Sequence, residues 1–335
     1  VATVGMERRA RVRRAARTAV LLAAAMTAVL TAGCTNGGGP PPDDRPPPVP
    51  EPEPVPSPED SDIGDVGSVL AVKIDNARRA RPHTGLGEAD IVYVEQVEGG
   101  LSRLMAVYAT RLPETVGPVR SARESDLELL RQFGRPTLAF SGAQRKLLPL
   151  IDRAPLRAEP PDRTPGAYYR AKERPAPHNL YLRPLRLLPS APGPDALAPG
   201  FTYGAPPAGG TAETTRTVRY PAARFTFTWS EDHDRYLVAM DGTAMVTTDG
   251  ARVAPATVVV QYVRLRPSEY FDSRGNNTPY TETVGSGKAT VLRDGRAYDV
   301  HWKRASADDD TRFTTERGAP VNFATGQVWV VLAKA

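Results

Sequence analysis

The sequence predicts an α+β protein: an N-terminal mixed α/β domain followed by a β-rich C-terminal domain, preceded by a signal peptide and a disordered Pro-rich linker. Three observations predict it. A charged-then-apolar leader runs up to the only cysteine, a stretch of Pro, Gly and acids follows, and the rest is dominated by strand-like apolar runs with one clear helix among them. The boundaries fall at 1–33, 34–67, 68–200 and 201–335.

The leader carries Arg8, Arg9, Arg11, Arg13, Arg14 and Arg17, then an uncharged run from Thr18 to Ala32. That order is the order of a secretory signal, and its apolar part falls short of the roughly 20 residues that a spanning helix needs. It ends in Leu30-Thr31-Ala32-Gly33-Cys34, the form of a lipobox, although Thr31 stands three residues before the Cys where Leu is usual. Cys34 is thus the expected lipidation site, and two acyl chains there would anchor the protein stably to the bilayer. The competing readings are an uncleaved anchor helix and a free thiol. An acylated Cys34 leaves no thiol for a disulfide, a metal site or a nucleophile.

The whole chain carries a net charge of +5. The leader alone holds six Arg and one Glu, and Thr35 to Ser68 holds one Arg against eight acids. Residues 69–190 then contain 20 Lys and Arg against 13 acids, whereas 191–335 contain 16 of each. The basicity that might suggest a nucleic-acid binder is therefore largely a leader, while the contrast between the halves points to an anionic partner for the first domain. The acidic stretch, as in Pro46-Pro47-Pro48-Val49-Pro50-Glu51-Pro52, reads as an extended polyproline-like spacer.

In the first domain Leu70 to Ile74, Ile91 to Val97, Leu104 to Thr110 and Thr137 to Ser141 read as strands. Ser121 to Phe133 is the clearest helix, stopped by Gly134 and Pro136, with Ser121 as its cap; Ala143 to Asp152 and Pro184 to Leu188 are shorter candidates. The Pro-, Ala- and Gly-rich stretch from Pro189 to Gly210 marks the boundary. Beyond it Phe225, Phe227 and Trp229 alternate with Thr, Val258 to Leu265 forms another strand, and Asp241-Gly242 and Asp294-Gly295 signal hairpins. Gln327 to Ala333 is expected to close the sheet.

Arg120 and Arg123 stand at the start of the predicted helix, where the positive end of the dipole disfavours cations. Something negative should compensate them: a bound anion, or internal carboxylates such as Asp75, Glu95 and Glu98. With Arg103 they form the candidate anion-binding set, since guanidinium forks suit carboxylate, phosphate or sulfate. Asp75, Glu98 and His178 are the candidate catalytic residues. In a regular strand Glu95 and Glu98 lie on opposite faces and cannot form a two-carboxylate site unless Gly99-Gly100 ends the strand early. The four histidines show no metal-ligand spacing, and no cofactor is expected. Val284-Gly285-Ser286-Gly287-Lys288 lacks phosphate-loop spacing, so it reads as a sharp turn and no nucleotide is expected.

Seven of these stretches together resemble the YerB-like bacterial lipoproteins, a family built on domains of unknown function with amino- and carboxy-terminal parts. They are Ile74-Asp75-Asn76, Arg81-Pro82, Ala89-Asp90-Ile91-Val92-Tyr93, Glu98-Gly99-Gly100, Gly117 to Arg123, His178-Asn179-Leu180-Tyr181 and Val284 to Gly287. The family commonly has Glu directly after the Ile-Val-Tyr segment, where this chain has Val94 and then Glu95, and Gln where this chain has His83. The resemblance implies an exported lipoprotein and locates a site without implying a reaction.

The expectation is a lipoprotein on the extracytoplasmic face of the cell membrane, held to the bilayer by Cys34. Its first domain would recognise an anionic envelope polymer or an envelope protein; the rival is an envelope hydrolase or transferase acting on a wall or capsule polymer. Replacing Cys34 with Ser is expected to move the protein from the membrane to the soluble fraction on fractionation; retention in the membrane with the leader removed would contradict lipidation.

Overall fold

The computed structural model describes residues 68–197, 199–272 and 274–335. The expected signal peptide, Cys34 and the linker up to residue 67 lie outside them. The first strands are β1 (Leu70–Asp75), β2 (Ile91–Gln96), β3 (Ser102–Tyr108), β4 (Thr137–Ala139), β5 (Arg157–Glu159), β6 (Tyr168–Arg170) and β7 (Leu180–Leu182). Next come β8 (Thr202–Tyr203), β9 (Thr211–Ala212), β10 (Thr215–Tyr220), β11 (Ala223–Ser230), β12 (Arg235–Met240), β13 (Thr243–Ala244) and β14 (Thr257–Val263). The last are β15 (Leu265–Phe271), β16 (Asn277–Thr281), β17 (Gly285–Arg293), β18 (Arg296–Arg304), β19 (Arg312–Thr314), β20 (Asn322–Phe323) and β21 (Val328–Lys334). The described α-helices are short, α1 (Glu124–Leu130) and α2 (Leu148–Arg153), so the protein is strand-rich with few helices.

The largest sheet has eleven strands in the order β19-β18-β17-β14-β21-β2-β3-β1-β4-β5, with β9 added against β18. The stretches on either side of residue 200 therefore contribute strands to one sheet, and residues 61–335 form a single compact unit. The expectation that Gln327 to Ala333 closes the sheet is corrected. β21 runs parallel to both β2 and β14, with Ile91 and Thr257 opposite Val328. The physical reason lies in its composition: Val328 to Ala333 are all buried, and a strand apolar on both faces requires covering layers and neighbours on either side.

Alternation sends successive side chains to two different cores. On one face Val72, Val94, Leu104, Val260 and Trp329 pack against the four-stranded sheet β10-β11-β12-β13, where Trp329 meets Phe225 and Phe227 at ring-centroid distances of 6.3 and 6.0 Å. On the other, Ala71, Tyr93, Met105 and Val330 pack against Leu129, Leu130, Phe133 and Ile151 from the helical segments. Both predicted hairpins form, Asp241 and Asp294 taking φ of 54° and 53° ahead of their glycines.

Several boundaries differ from expectation. The helix begins at Glu124 instead of Ser121, because Arg120 to Ala122 is held extended: Arg120 N–H donates to Lys73 O, Ala122 N–H to Gly142 O, and Ser141 N–H to Arg120 O. The residue at the cap position is Arg123, whose N–H is taken by the Asp126 carboxylate at 2.7 Å. α2 occupies only the latter part of Ala143 to Asp152, and Pro184–Arg186 is one 3-10 turn. Gly285 to Gly287 is strand and not a turn; a β-carbon on Gly287 would lie 2.7 Å from the Trp302 indole nitrogen, so this close strand approach requires glycine. Among the described residues no helix is long and apolar enough to cross a membrane.

Trp329→Ala should cost about 3 to 5 kcal/mol, as the loss of a fully buried Trp contact between the two sheets. Urea unfolding followed by circular dichroism measures it, and a single cooperative transition for the whole described unit is expected in both proteins.

Candidate functional site

Along one face of the central strands, apolar residues give way to charged ones toward the same end of the sheet. Val69 and Ala71 lead to Lys73 and Asp75 in β1; Ile91 and Tyr93 lead to Glu95 in β2; and in β3, which runs the other way, Val107 and Met105 lead back to Arg103. Arg103 is in register with Asp75 on one side and Glu95 on the other, so the three project to the same face.

β2 stops at Gln96, and Glu98–Gly100 forms a 3-10 turn with Gly99 and Gly100 at φ of 66° and 70°, a conformation in which glycine is unstrained. That early end turns Glu98 onto the side of Arg123. Arg123 pairs with it, Nη2 donating to Oε2 at 2.8 Å while Nε lies 2.6 Å from Oε1 as an ion pair, and Thr278 of β16 donates its hydroxyl to Oε1 at 2.6 Å. Burial pushes the Glu98 carboxyl upward, but the Arg123 and Thr278 hydrogen bonds outweigh it and hold it below the usual range. Glu98 is therefore a carboxylate near neutrality.

Asp75 is buried, accepts the Ala77 N–H at 3.1 Å, is hydrogen-bonded to His178 Nδ1 at 2.8 Å, and forms an ion pair with Arg120, whose Nε lies 3.3 Å away without a hydrogen bond among the described residues. Burial alone would raise its carboxyl; the Ala77 and His178 hydrogen bonds and the charges of Arg120 and Arg103 bring it below the ordinary value. His178 reaches it from the segment leading into β7, and Leu180 O accepts the Val119 N–H. The segment carrying Arg120 and the segment carrying His178 are thus pinned together beside β1.

Arg103 differs from its two neighbours. It is 9% exposed, its Nη1 donates to Ser121 O at 3.1 Å, and among the described residues no carboxylate comes within ion-pair distance. Burial, followed by the charges of Arg123 and Arg120, brings its guanidinium down to about 10, which leaves it charged at neutral pH.

Asp75, Glu98, Arg103, Arg120, Arg123 and His178 all line one open cleft of about 860 Å³. The sequence-predicted set is thereby brought together, while Glu95 is not part of it. Its side chain turns under α1 to Lys73, which also binds Asp126 at 2.7 Å, and Ser125 donates to Glu95 at 3.2 Å. This buried cluster fixes α1 and hence Arg123. Sequence reasoning also missed the rim: Leu101, Glu124, Gln144, and Tyr270, Phe271 and Arg274 near the tip of the β15–β16 hairpin. The change from apolar to charged residues at one parity in β1, β2 and β3 was a signal for Lys73 and Arg103. None was available for the hairpin, which is brought in by the fold. Among the described residues no group of His, Cys, Asp and Glu is arranged to hold a metal ion.

Residues 57–195 match the domain described as "Protein of unknown function (DUF3048) N-terminal domain", and residues 216–330 match its C-terminal counterpart. The chain belongs to the DUF3048 family. It is also similar to a Bacillus subtilis (strain 168) protein named "Putative lipoprotein YerB", being 25% identical over 281 residues that cover 78% of this chain and 80% of that one. The crystal structure of the YerB protein from Bacillus subtilis superposes with a TM-score of 0.66 at 20% identity, covering 80% of this chain and 91% of that one, and so shares the fold. The resemblance carried by the Gly117 to Arg123 and His178 to Tyr181 segments is thus a DUF3048 resemblance, and both segments form the cleft.

Burial, then the nearby Asp126, push the Glu95 carboxyl up to about 7 against the pull of Lys73. The folded state then retains a proton that the unfolded chain, near 4.5, has released, so stability is lost as pH rises from about 4.5 to about 7. Glu95→Gln removes that titration. Relative to the variant, the parent protein is expected to lose at least about 1 kcal/mol between pH ~5 and pH ~8 in urea unfolding.

Proposed function

We propose that this DUF3048 protein is a lipoprotein anchored through acylated Cys34 to the extracytoplasmic face of the cell membrane, and that its cleft binds an anionic component of the envelope or an anionic group on a partner protein. One observation carries this reading. Arg103, Arg120 and Arg123 meet in one cleft with two ion-paired carboxylates, Asp75 and Glu98, leaving Arg103 without a carboxylate partner among the described residues. A guanidinium so buried is stabilised when an anion completes it. The similarity to a protein named as a lipoprotein supports the anchor, and the form of the sequence around Cys34 agrees with it.

A second reading rests on the Asp75–His178 pair. A carboxylate on Nδ1 fixes the ring and leaves Nε2 available, and Nε2 makes no hydrogen bond among the described residues. In an envelope hydrolase or transferase His178 would be the acid or base, whereas Glu98, clamped as a carboxylate, would not supply a proton at neutral pH.

Co-sedimentation of the purified chain with isolated envelope polymers tests both. Binding is expected to weaken from about 0.1 M to about 1 M salt, and to fall about tenfold in Arg103→Gln and in the double variant Arg120→Ala, Arg123→Ala. Unchanged, salt-sensitive binding in both variants would sink the anion site. Release of soluble product from wall or capsule material, abolished by His178→Ala with affinity retained, would select the second reading.

A further inference from the structure

We infer that the ligand of the cleft is a singly charged oxyanion carrying an apolar group, with the charge on the Arg103 fork and the apolar part against Leu101 and Phe271. This rests on the anion-binding reading above and adds what the anion must look like.

The number of charges follows from the lining. Three guanidinium groups and two carboxylates leave the floor with one excess positive charge. At the rim Asp272 and Arg274 offset one another, and the Glu124 carboxyl, whose Oε2 is buried without a hydrogen-bond partner among the described residues, balances the excess of the floor, so the cleft as a whole carries no surplus positive charge for a second anionic charge. A multiply charged anion would meet the carboxylates of Asp75, Glu98 and Glu124 within the same cleft, so self-repulsion limits the charge that can be taken up. The donor is already in place. Among the described residues only Nη1 of Arg103 donates a hydrogen bond, and neither Nε nor Nη2 is among the fully buried atoms, so both keep access to solvent on a residue that lines the cleft. These adjacent N–H groups form a fork that matches the two oxygens of a phosphodiester or a carboxylate.

The apolar component comes from the wall. Leu101 is 45% and Phe271 50% exposed, two of the few large hydrophobic side chains left so open, and both line this cleft. Their segments are linked: Leu101 follows the Glu98–Gly100 turn, Glu98 accepts the Thr278 hydroxyl from β16, and β16 pairs with β15, which ends at Phe271. Exposed apolar side chains beside a buried, unpartnered cation are what an amphipathic anion covers. A simple polyanion would pair with the cation but leave the apolar side chains uncovered.

Isothermal titration of the full chain with paired probes tests this: dibutyl phosphate against dimethyl phosphate, and hexanoate against acetate. The longer member of a pair is expected to bind about tenfold more tightly, the preference falling to about twofold in Phe271→Ser. Arg103→Gln should weaken both members about tenfold, and circular dichroism of the variant checks that it is folded. Should it not fold, Arg120→Gln, on a partly exposed side chain, serves in its place. Which pair shows the effect distinguishes a phosphodiester from a carboxylate source. Equal binding of long and short members, with Arg103 dependence retained, would overturn this inference and leave the anion site standing. Pyrophosphate binding more tightly than every singly charged probe would overturn it as well. Absence of binding by all probes would overturn both.

Discussion

The seating of β21 between β2 and β14 governs the rest of the molecule. Parallel pairing of Val328 with both Ile91 and Thr257 joins strands from the two halves into one sheet and fixes their relative height. β14 runs on through Arg264 into β15, so the same register decides where the β15–β16 hairpin reaches. It reaches the Glu98 turn and α1: Thr278 donates to Glu98, and the Tyr280 hydroxyl and the Thr283 N–H donate to Glu128 at 2.8 and 2.9 Å. The cleft is consequently a joint product of both DUF3048 domains. Arg103, Arg120 and Arg123 come from the first, and the part of its wall that carries Phe271 and Arg274 comes from the second.

Charge is handled at two levels beside this cleft. Lys73, Glu95 and Asp126 are almost entirely removed from water, and removing one partner of such a set leaves an uncompensated buried charge. That makes them a rigid support for α1 and for Arg123. The outer level, with Asp75, Glu98 and the three arginines, is partly open to solvent and can accept a ligand without dismantling the inner one. Arg120 links the two through its backbone: its N–H donates to Lys73 O while its side chain reaches Asp75.

Much of the candidate site was legible as residue identities. Arg120 and Arg123 stood out because cations near a helix start need compensation, and their partners proved to be Asp75 and Glu98, two of the three carboxylates named for that role. The third, Glu95, went to Lys73, because the two project to the same face from strands on either side of β3 and α1 lies over them. Ser121 as a cap was misplaced since a local cap rule does not register that Arg120 to Ala122 is drawn out between β1 and the stretch after β4. The hairpin contribution was not legible at all, as it joins residues about 180 positions apart, Glu98 and Thr278.

By itself the sequence determined the local elements and the chemistry they carry: period-two strands, the Asp-Gly hairpins, the lipobox-like leader, and a basic first half with its arginines named. Each of these depends on neighbours within a few residues, where backbone geometry and composition suffice. Only the tertiary structure decided that the two halves share a sheet, that β21 lies at its interior, and that of Arg103, Arg120 and Arg123 it is Arg103 that has no carboxylate within ion-pair distance among the described residues. Those outcomes are set by strand register and by competition for partners among distant charges, which no local pattern encodes.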